Sequence, residues 1–142
     1  MAIQQLSVFV ENQKGKLLGT VKALSEAGIN IRAMSIADTK DFGILRLITS
    51  DNAKAMEVLA NDSIVNTTKV IAAKMEDEAG ALYKVLQILS DAQINIEYMY
   101  AFTASEAFGA YVVLRVSDAA AAQEILNAKG IATLDDADIR EI

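Results

Sequence analysis

The sequence predicts an α+β fold of two β-α-β-β-α-β units packed side by side, each an antiparallel sheet with its helices on one face. Three observations predict it. The chain repeats itself: an offset of 65 aligns Gly15 with Gly80, Leu17 with Leu82, Leu24 with Leu89, Ile29-Asn30-Ile31 with Ile94-Asn95-Ile96 and Met34 with Met99. Within each repeat, period-2 apolar stretches and 3.6-period stripes follow one another as strand, helix, strand, strand, helix, strand. The chain has no proline, and no glycine- or serine-rich linker divides the repeats, so domains 1–68 and 69–142 are expected to be rigid neighbours. A chain of 142 residues would suit one medium domain, but a repeat of this size argues for two. Domains this small bury only about 60% of their unfolded surface, which favours packing the halves together.

The elements follow in order. From Ile3 to Val10, Leu6, Val8 and Val10 alternate with Gln5, Ser7 and Phe9, a strand. The turn Glu11 to Leu17, reading E-N-Q-K-G-K-L, then opens a helix whose apolar stripe is Leu17, Val21 and Leu24, flanked by Leu18 and Ala27, with Gly28 as its stop. Asn30 to Ile36 and Phe42 to Thr49 read as hairpin strands around the polar Asp38 to Asp41. Ser50 or Asp51 caps a second helix running to about Ala60, with Met56 and Leu59 inward, and Ile64 to about Thr67 closes the unit. In the second unit Val70 to Met75 is a strand and the turn recurs at Glu76 to Leu82 as E-D-E-A-G-A-L. Leu82, Val85, Leu86 and Leu89 make the helical stripe, and Asn95 to Phe102 with Phe108 to Val116 form the hairpin. Ser117 or Asp118 caps the helix Ala119 to Ala128, Gly130 ends it, and Ile131 to Leu134 is the closing strand. For Asp135 to Ile142 an edge strand and a helical turn both fit.

Composition narrows the chemistry. The chain has no cysteine and no histidine, which removes thiolate and imidazole catalysis and the usual zinc, iron–sulfur and haem ligands. No catalytic residue, metal or cofactor is assigned, and no enzyme activity is expected. A net charge of −6 opposes binding to nucleic acid or to an anionic membrane surface. The start M-A-I-Q-Q-L has neither a basic segment nor a long apolar one, so a soluble cytoplasmic protein is the expectation.

A strand that feeds a glycine turn and then a helix presents unpaired helix amides, and the positive end of the helix dipole, to an anion or carboxylate. Three residues before the glycine, Asn12 in one copy and Asp77 in the other offer a side-chain acceptor to an ammonium. Free amino acids carry both groups. A Cβ at Gly15 or Gly80 would restrict the approach of such a ligand. The competing reading is structural, because Asn and Asp are ordinary helix caps and Gly is ordinary in turns.

The N-x-x-G-x-L and D-x-x-G-x-L turns, the helix ends A-G-I-N-I and A-Q-I-N-I, and the Phe-Gly starts of both third strands resemble ACT domains, small ligand-binding modules of ferredoxin-like fold. The resemblance covers the whole chain as a tandem pair. It implies a free amino acid as ligand, held at the interface between the first turn of one domain and the start of the second strand of another. The implied positions are Asn12, Gly15, Lys16 and Leu17 with Asn95 and Ile96, and Asp77, Gly80, Ala81 and Leu82 with Asn30 and Ile31. It also implies either a homodimer or a complex with a partner enzyme. Asp77 in place of Asn12, and Ala81 in place of Lys16, make the two turns inequivalent, and Asn12 marks the better match.

Other features have plainer readings. The aromatic run Glu97 to Phe102 fits either a pocket floor or a packed sheet surface, and Arg46 and Arg115 either reach a carboxylate or belong to an ion-paired sheet face. The acidic runs Glu76-Asp77-Glu78 and Asp135-Asp136 read as solvated turns rather than calcium or acid–base sites. The same β-α-β-β-α-β unit builds RNA-recognition motifs, but the positions after Gly43 are aliphatic, where that function needs stacking aromatics. The alternative to a sensor is an interaction subunit that docks on an enzyme or regulator of amino-acid metabolism without binding a ligand.

Overall fold

The strands and helices occur in the expected order in the computed structural model, which describes residues 3–38, 41–103 and 109–141. They are β1 (Ile3–Glu11), α1 (Lys16–Glu26), β2 (Ile31–Asp38), β3 (Phe42–Thr49), α2 (Asn52–Leu59) and β4 (Val65–Met75), then α3 (Ala81–Asp91), β5 (Ile96–Thr103), β6 (Ala110–Val116), α4 (Ala119–Ala128) and α5 (Asp136–Glu141). The chain divides into two compact units, Gln4–Thr68 and the residues from Lys69 onward, the latter taking in Ile3 as well. The boundary falls inside β4. Where the sequence predicts two strands, the structure has one, because β-branched residues (Val65, Thr67, Thr68, Val70 and Ile71) carry the extended backbone through the polar junction. Thr39 and Lys40 of the first hairpin, Phe108 at the predicted start of β6, and Ile142 lie outside the described residues.

In the first unit β3 runs antiparallel between β2 and β1, with Leu6 opposite Leu47, Val8 opposite Leu45, and Met34 and Ile36 opposite Leu47 and Leu45. That register puts Leu6, Val8, Leu45 and Leu47 on one face, where they are fully buried with Leu24 of α1 and with Ala55 and Leu59 of α2. The Phe9 N–H donates to the Ile64 carbonyl at 3.0 Å, which sets the start of β4 beside the end of β1. Helix α1 is rotated from the expected stripe. It buries Thr20 and Leu24, packs Ala23 and Ala27 against the core, and leaves Leu17 38% and Leu18 71% exposed. Leu24 keeps its expected inward place with the small Thr20, Ala23 and Ala27 beside it, while Leu17 of the expected stripe stays partly in solvent.

Paired hydrogen bonds fix the connections. The Asn30 N–H donates to Ser50 Oγ at 3.0 Å and the Ser50 N–H to the Asn30 carbonyl at 2.9 Å. Asn95 and Ser117 repeat this clasp at 3.2 and 3.0 Å. The serines are thereby committed, and the helix caps are the aspartates: Asp51 accepts from the Lys54 N–H at 3.1 Å and Asp118 from the Ala121 N–H at 3.0 Å.

In the second unit β6 lies antiparallel between β4 and β5, and its buried Val112, Leu114 and Val116 meet Val85 and Leu89 of α3 and Ala122 and Leu126 of α4. The expected closing strand Ile131–Leu134 contracts to a bridge, Thr133 against Ala73, held by Lys74 N–H to Ala132 O at 2.8 Å and Leu134 N–H to Ala72 O at 2.9 Å. Of the two readings of the C-terminal segment, the structure adopts the helical one. Asp135 and Asp138 exchange bonds, each carboxylate accepting the other's N–H at 3.0 and 2.9 Å, and Ile139 is buried. The Asp138 N–H holds the Asp135 carboxyl below its ordinary value, so this cap is in place at neutral pH and is lost as pH falls through that lowered value.

The rotation of α1 is testable by urea unfolding. Leu24→Ala should cost about 2–5 kcal/mol, whereas Leu18→Ala should stay within about 0.5 kcal/mol.

Candidate functional site

Each unit turns from strand to helix through a glycine in the left-handed region, Gly15 at φ 82° and Gly80 at φ 88°. These glycines occupy the N-cap positions of α1 and α3, and neither helix start has a side-chain cap. The N-cap positions thus fall to the glycines rather than to Asn12 and Asp77. In the first turn the Asn12 N–H donates to the Asp41 carbonyl at 3.0 Å, the Gln13 N–H to Glu11 O at 2.8 Å and the Lys16 N–H to Gln13 O at 3.2 Å. In the second, Glu78 N–H donates to Glu76 O at 2.9 Å and Ala81 N–H to Glu78 O at 3.3 Å. A Cβ added at Gly15 or Gly80 would meet nothing within 4 Å, so it is the backbone angle, not crowding in the chain, that requires glycine.

Asn12, Gly15, Lys16 and Leu17 thus gather at the start of α1, all exposed, and Asp77 and Gly80 are exposed at the start of α3 with Ala81 and Leu82 half-buried beside them. Asn30 and Ile31 lie past the other end of α1, and Asn95 and Ile96 past the other end of α3. Eleven helical residues, about 16 Å, separate the two groups within each unit.

A groove of about 690 Å³ opens at the first turn, entirely within the first unit. The end of β1 contributes Phe9, Val10 and Glu11, and Phe42 stands beside them on β3. One side of α1 forms a wall of Gly15, Lys16, Gly19, Thr20 and Ala23. Opposite lie Val58 and Leu59 of α2 and the connection Asp62, Ser63 and Ile64. The Phe9 and Phe42 rings are 5.8 Å apart and tilted by 48°. Of the predicted residues, Gly15 and Lys16 line this groove, while Asn12 and Leu17 flank it in sequence. The groove therefore holds one ammonium, Lys16, two carboxylates, Glu11 and Asp62, and an apolar floor.

The family model for an ACT domain pair matches residues 1–142. This chain belongs to the ACT family. A solved protein from Bacteroides thetaiotaomicron is 39% identical over 100% of this chain and 98% of its own, with a TM-score of 0.91. The ligand-free regulatory subunit of aspartate kinase from Thermus thermophilus is 15% identical, covering 88% of this chain and 91% of that one, with a TM-score of 0.63. The corresponding Thermus flavus subunit is 17% identical over 88% and 90%, at 0.62. At these identities the two subunits share the fold. No functionally curated protein matches the sequence.

The two ACT domains differ where the groove lies. The offset of 65 places Lys84, Val85 and Ile88 at the positions of Gly19, Thr20 and Ala23. Val85 is buried in the second core, Ile88 packs against it, and Lys84 lines a smaller hollow of about 360 Å³ along α3 with Tyr83 and Gln87. Lys84 and Ile88 thus stand where the first ACT domain has Gly19 and Ala23, while Val85 matches the buried Thr20 in size. Gly19 is the signal that sequence reading missed, since glycine inside a helix costs about 1 kcal/mol relative to alanine and has no turn to make there.

The remaining candidates resolve structurally. Arg115 pairs with Glu97 at 3.0 Å and donates to the Lys69 carbonyl at 3.3 Å, and Phe102 stacks on Tyr111 at 5.6 Å. Burial, and secondarily the charge of Asp138, raise the Tyr111 hydroxyl above its ordinary pKa. Among the described residues no group of His, Cys, Asp and Glu is arranged to hold a metal ion, and no helix is long and apolar enough to cross a membrane.

The two glycines of the groove wall should respond in opposite ways. Gly19→Ala, with nothing within 4 Å of the new Cβ, should raise stability by up to about 1 kcal/mol, and Gly15→Ala should lower it by about 1–2 kcal/mol in the same unfolding assay.

Proposed function

We propose that this ACT domain pair is a non-catalytic regulatory protein that binds a free amino acid in the groove at the first turn. The observation that carries the reading is the groove itself: both signs of charge, at the start of a helix without a side-chain cap, around an apolar floor. An α-carboxylate suits Lys16 and the amides that begin α1, where the helix dipole is positive. An α-ammonium suits Glu11 and Asp62. Asn12 and Leu17, next to the lining residues in sequence, complete the ligand's surroundings.

The second turn is a weaker candidate. Asp77, Gly80, Ala81 and Leu82 keep the backbone geometry but offer no cation in place of Lys16, and Ile88 packs where the first unit has the smaller Ala23. The proposal is therefore one occupied site per chain. A bound amino acid would then shift an oligomeric or docking equilibrium, with a second copy or a partner enzyme, by no more than its differential affinity for the two states.

Thermal unfolding against the twenty common amino acids tests this. An amino acid at 100 times its Kd should stabilise the protein by about 2.7 kcal/mol. Lys16→Ala and Asn12→Ala should diminish that shift and Arg46→Ala should leave it; no shift from any amino acid would overturn the reading.

A further inference from the structure

We infer that the groove selects amino acids with a large apolar side chain, such as phenylalanine or leucine. This rests on the amino-acid reading above and adds to it the identity of the side chain. Three large apolar residues of the first unit stand partly in solvent in this one place: Phe9 36%, Phe42 40% and Ile64 67% exposed. They are adjacent by construction, since Phe9 donates its N–H to the Ile64 carbonyl and its ring lies 5.8 Å from that of Phe42. Their uncovered area is what an apolar side chain would remove from water.

Size and charge point the same way. A groove of 690 Å³ holds on the order of twenty waters, and glycine or alanine would leave most of them in place. Once the ligand's carboxylate and ammonium are matched by Lys16 and one acidic group, a single carboxylate remains to attract a basic side chain. Glu11 and Asp62 are both exposed, so that attraction is screened and worth at most a fewfold in affinity. Each methylene buried against Phe9, Phe42 and Ile64 is worth about fourfold. Three or more methylenes outweigh the leftover charge.

The small wall of α1 makes the room. Gly19 and Ala23 leave open what Lys84 and Ile88 occupy in the second ACT domain.

Titration calorimetry on the full chain tests the selection. Phenylalanine or leucine should bind at least tenfold more tightly than alanine, with aspartate no tighter than alanine and lysine at most a fewfold tighter. Phe9→Ala should weaken phenylalanine at least fivefold while changing alanine less than twofold, and Ala23→Ile, which introduces the residue of the second domain, should abolish phenylalanine binding with the melting temperature retained. If lysine, arginine or aspartate binds more tightly than both leucine and phenylalanine, the side-chain assignment falls and the amino-acid reading stands. The same holds if Phe9→Ala weakens alanine and phenylalanine equally. If none of the twenty binds, both fall together.

Discussion

The backbone can pass from a strand into a helix within four or five residues here only because one residue at each junction takes a positive φ. Gly15 and Gly80 do so at 82° and 88°, and much of each unit follows from that. The angle aims α1 and α3 back across their sheets, so that Leu24 and Leu89 reach the cores. It also puts glycine in the N-cap position, where no side chain serves the first helical amides. A fold that uses glycine to turn thus leaves a positive helix start open beside the end of its first strand. At the other end of α1, Gly28 and the Asn30–Ser50 clasp close the helix with hydrogen bonds.

Periodicity made most of this architecture legible. β3 and α4 match their predicted bounds because a long run of alternating aliphatics, or an alanine-rich run between Asp118 and Gly130, admits few other readings. The continuity of β4 was not legible, since the polar Asn66 to Lys69 looks like a connection until neighbouring strands hold it extended. Nor was the rotation of α1, where counting leucines assigns the inward face to the bulkiest side chains and close packing assigns it to Thr20, Ala23 and Leu24.

The candidate site divides along the same line. Its glycine turn is local and was read from a short motif. Phe9, Phe42 and Asp62 to Ile64 are far apart in the chain and meet through strand pairing, Glu11 opposite Phe42 and Phe9 against Ile64, which no local pattern encodes.

Gly19 and its neighbours show how a duplicated fold can divide its labour. In the second unit, Ile88 adds apolar contact to the core where the first unit has only the methyl group of Ala23. The first unit forgoes that part of the burial and keeps its groove open. On the reading proposed above, one copy of the design carries the binding groove and the other a more closely packed helix, the familiar antagonism between a well-packed protein and a functional one within a single chain. Related chains can be sorted by the same token. Two positions on one helix, Gly19 and Ala23 in the first unit and Lys84 and Ile88 in the second, separate an open helical face from a filled one.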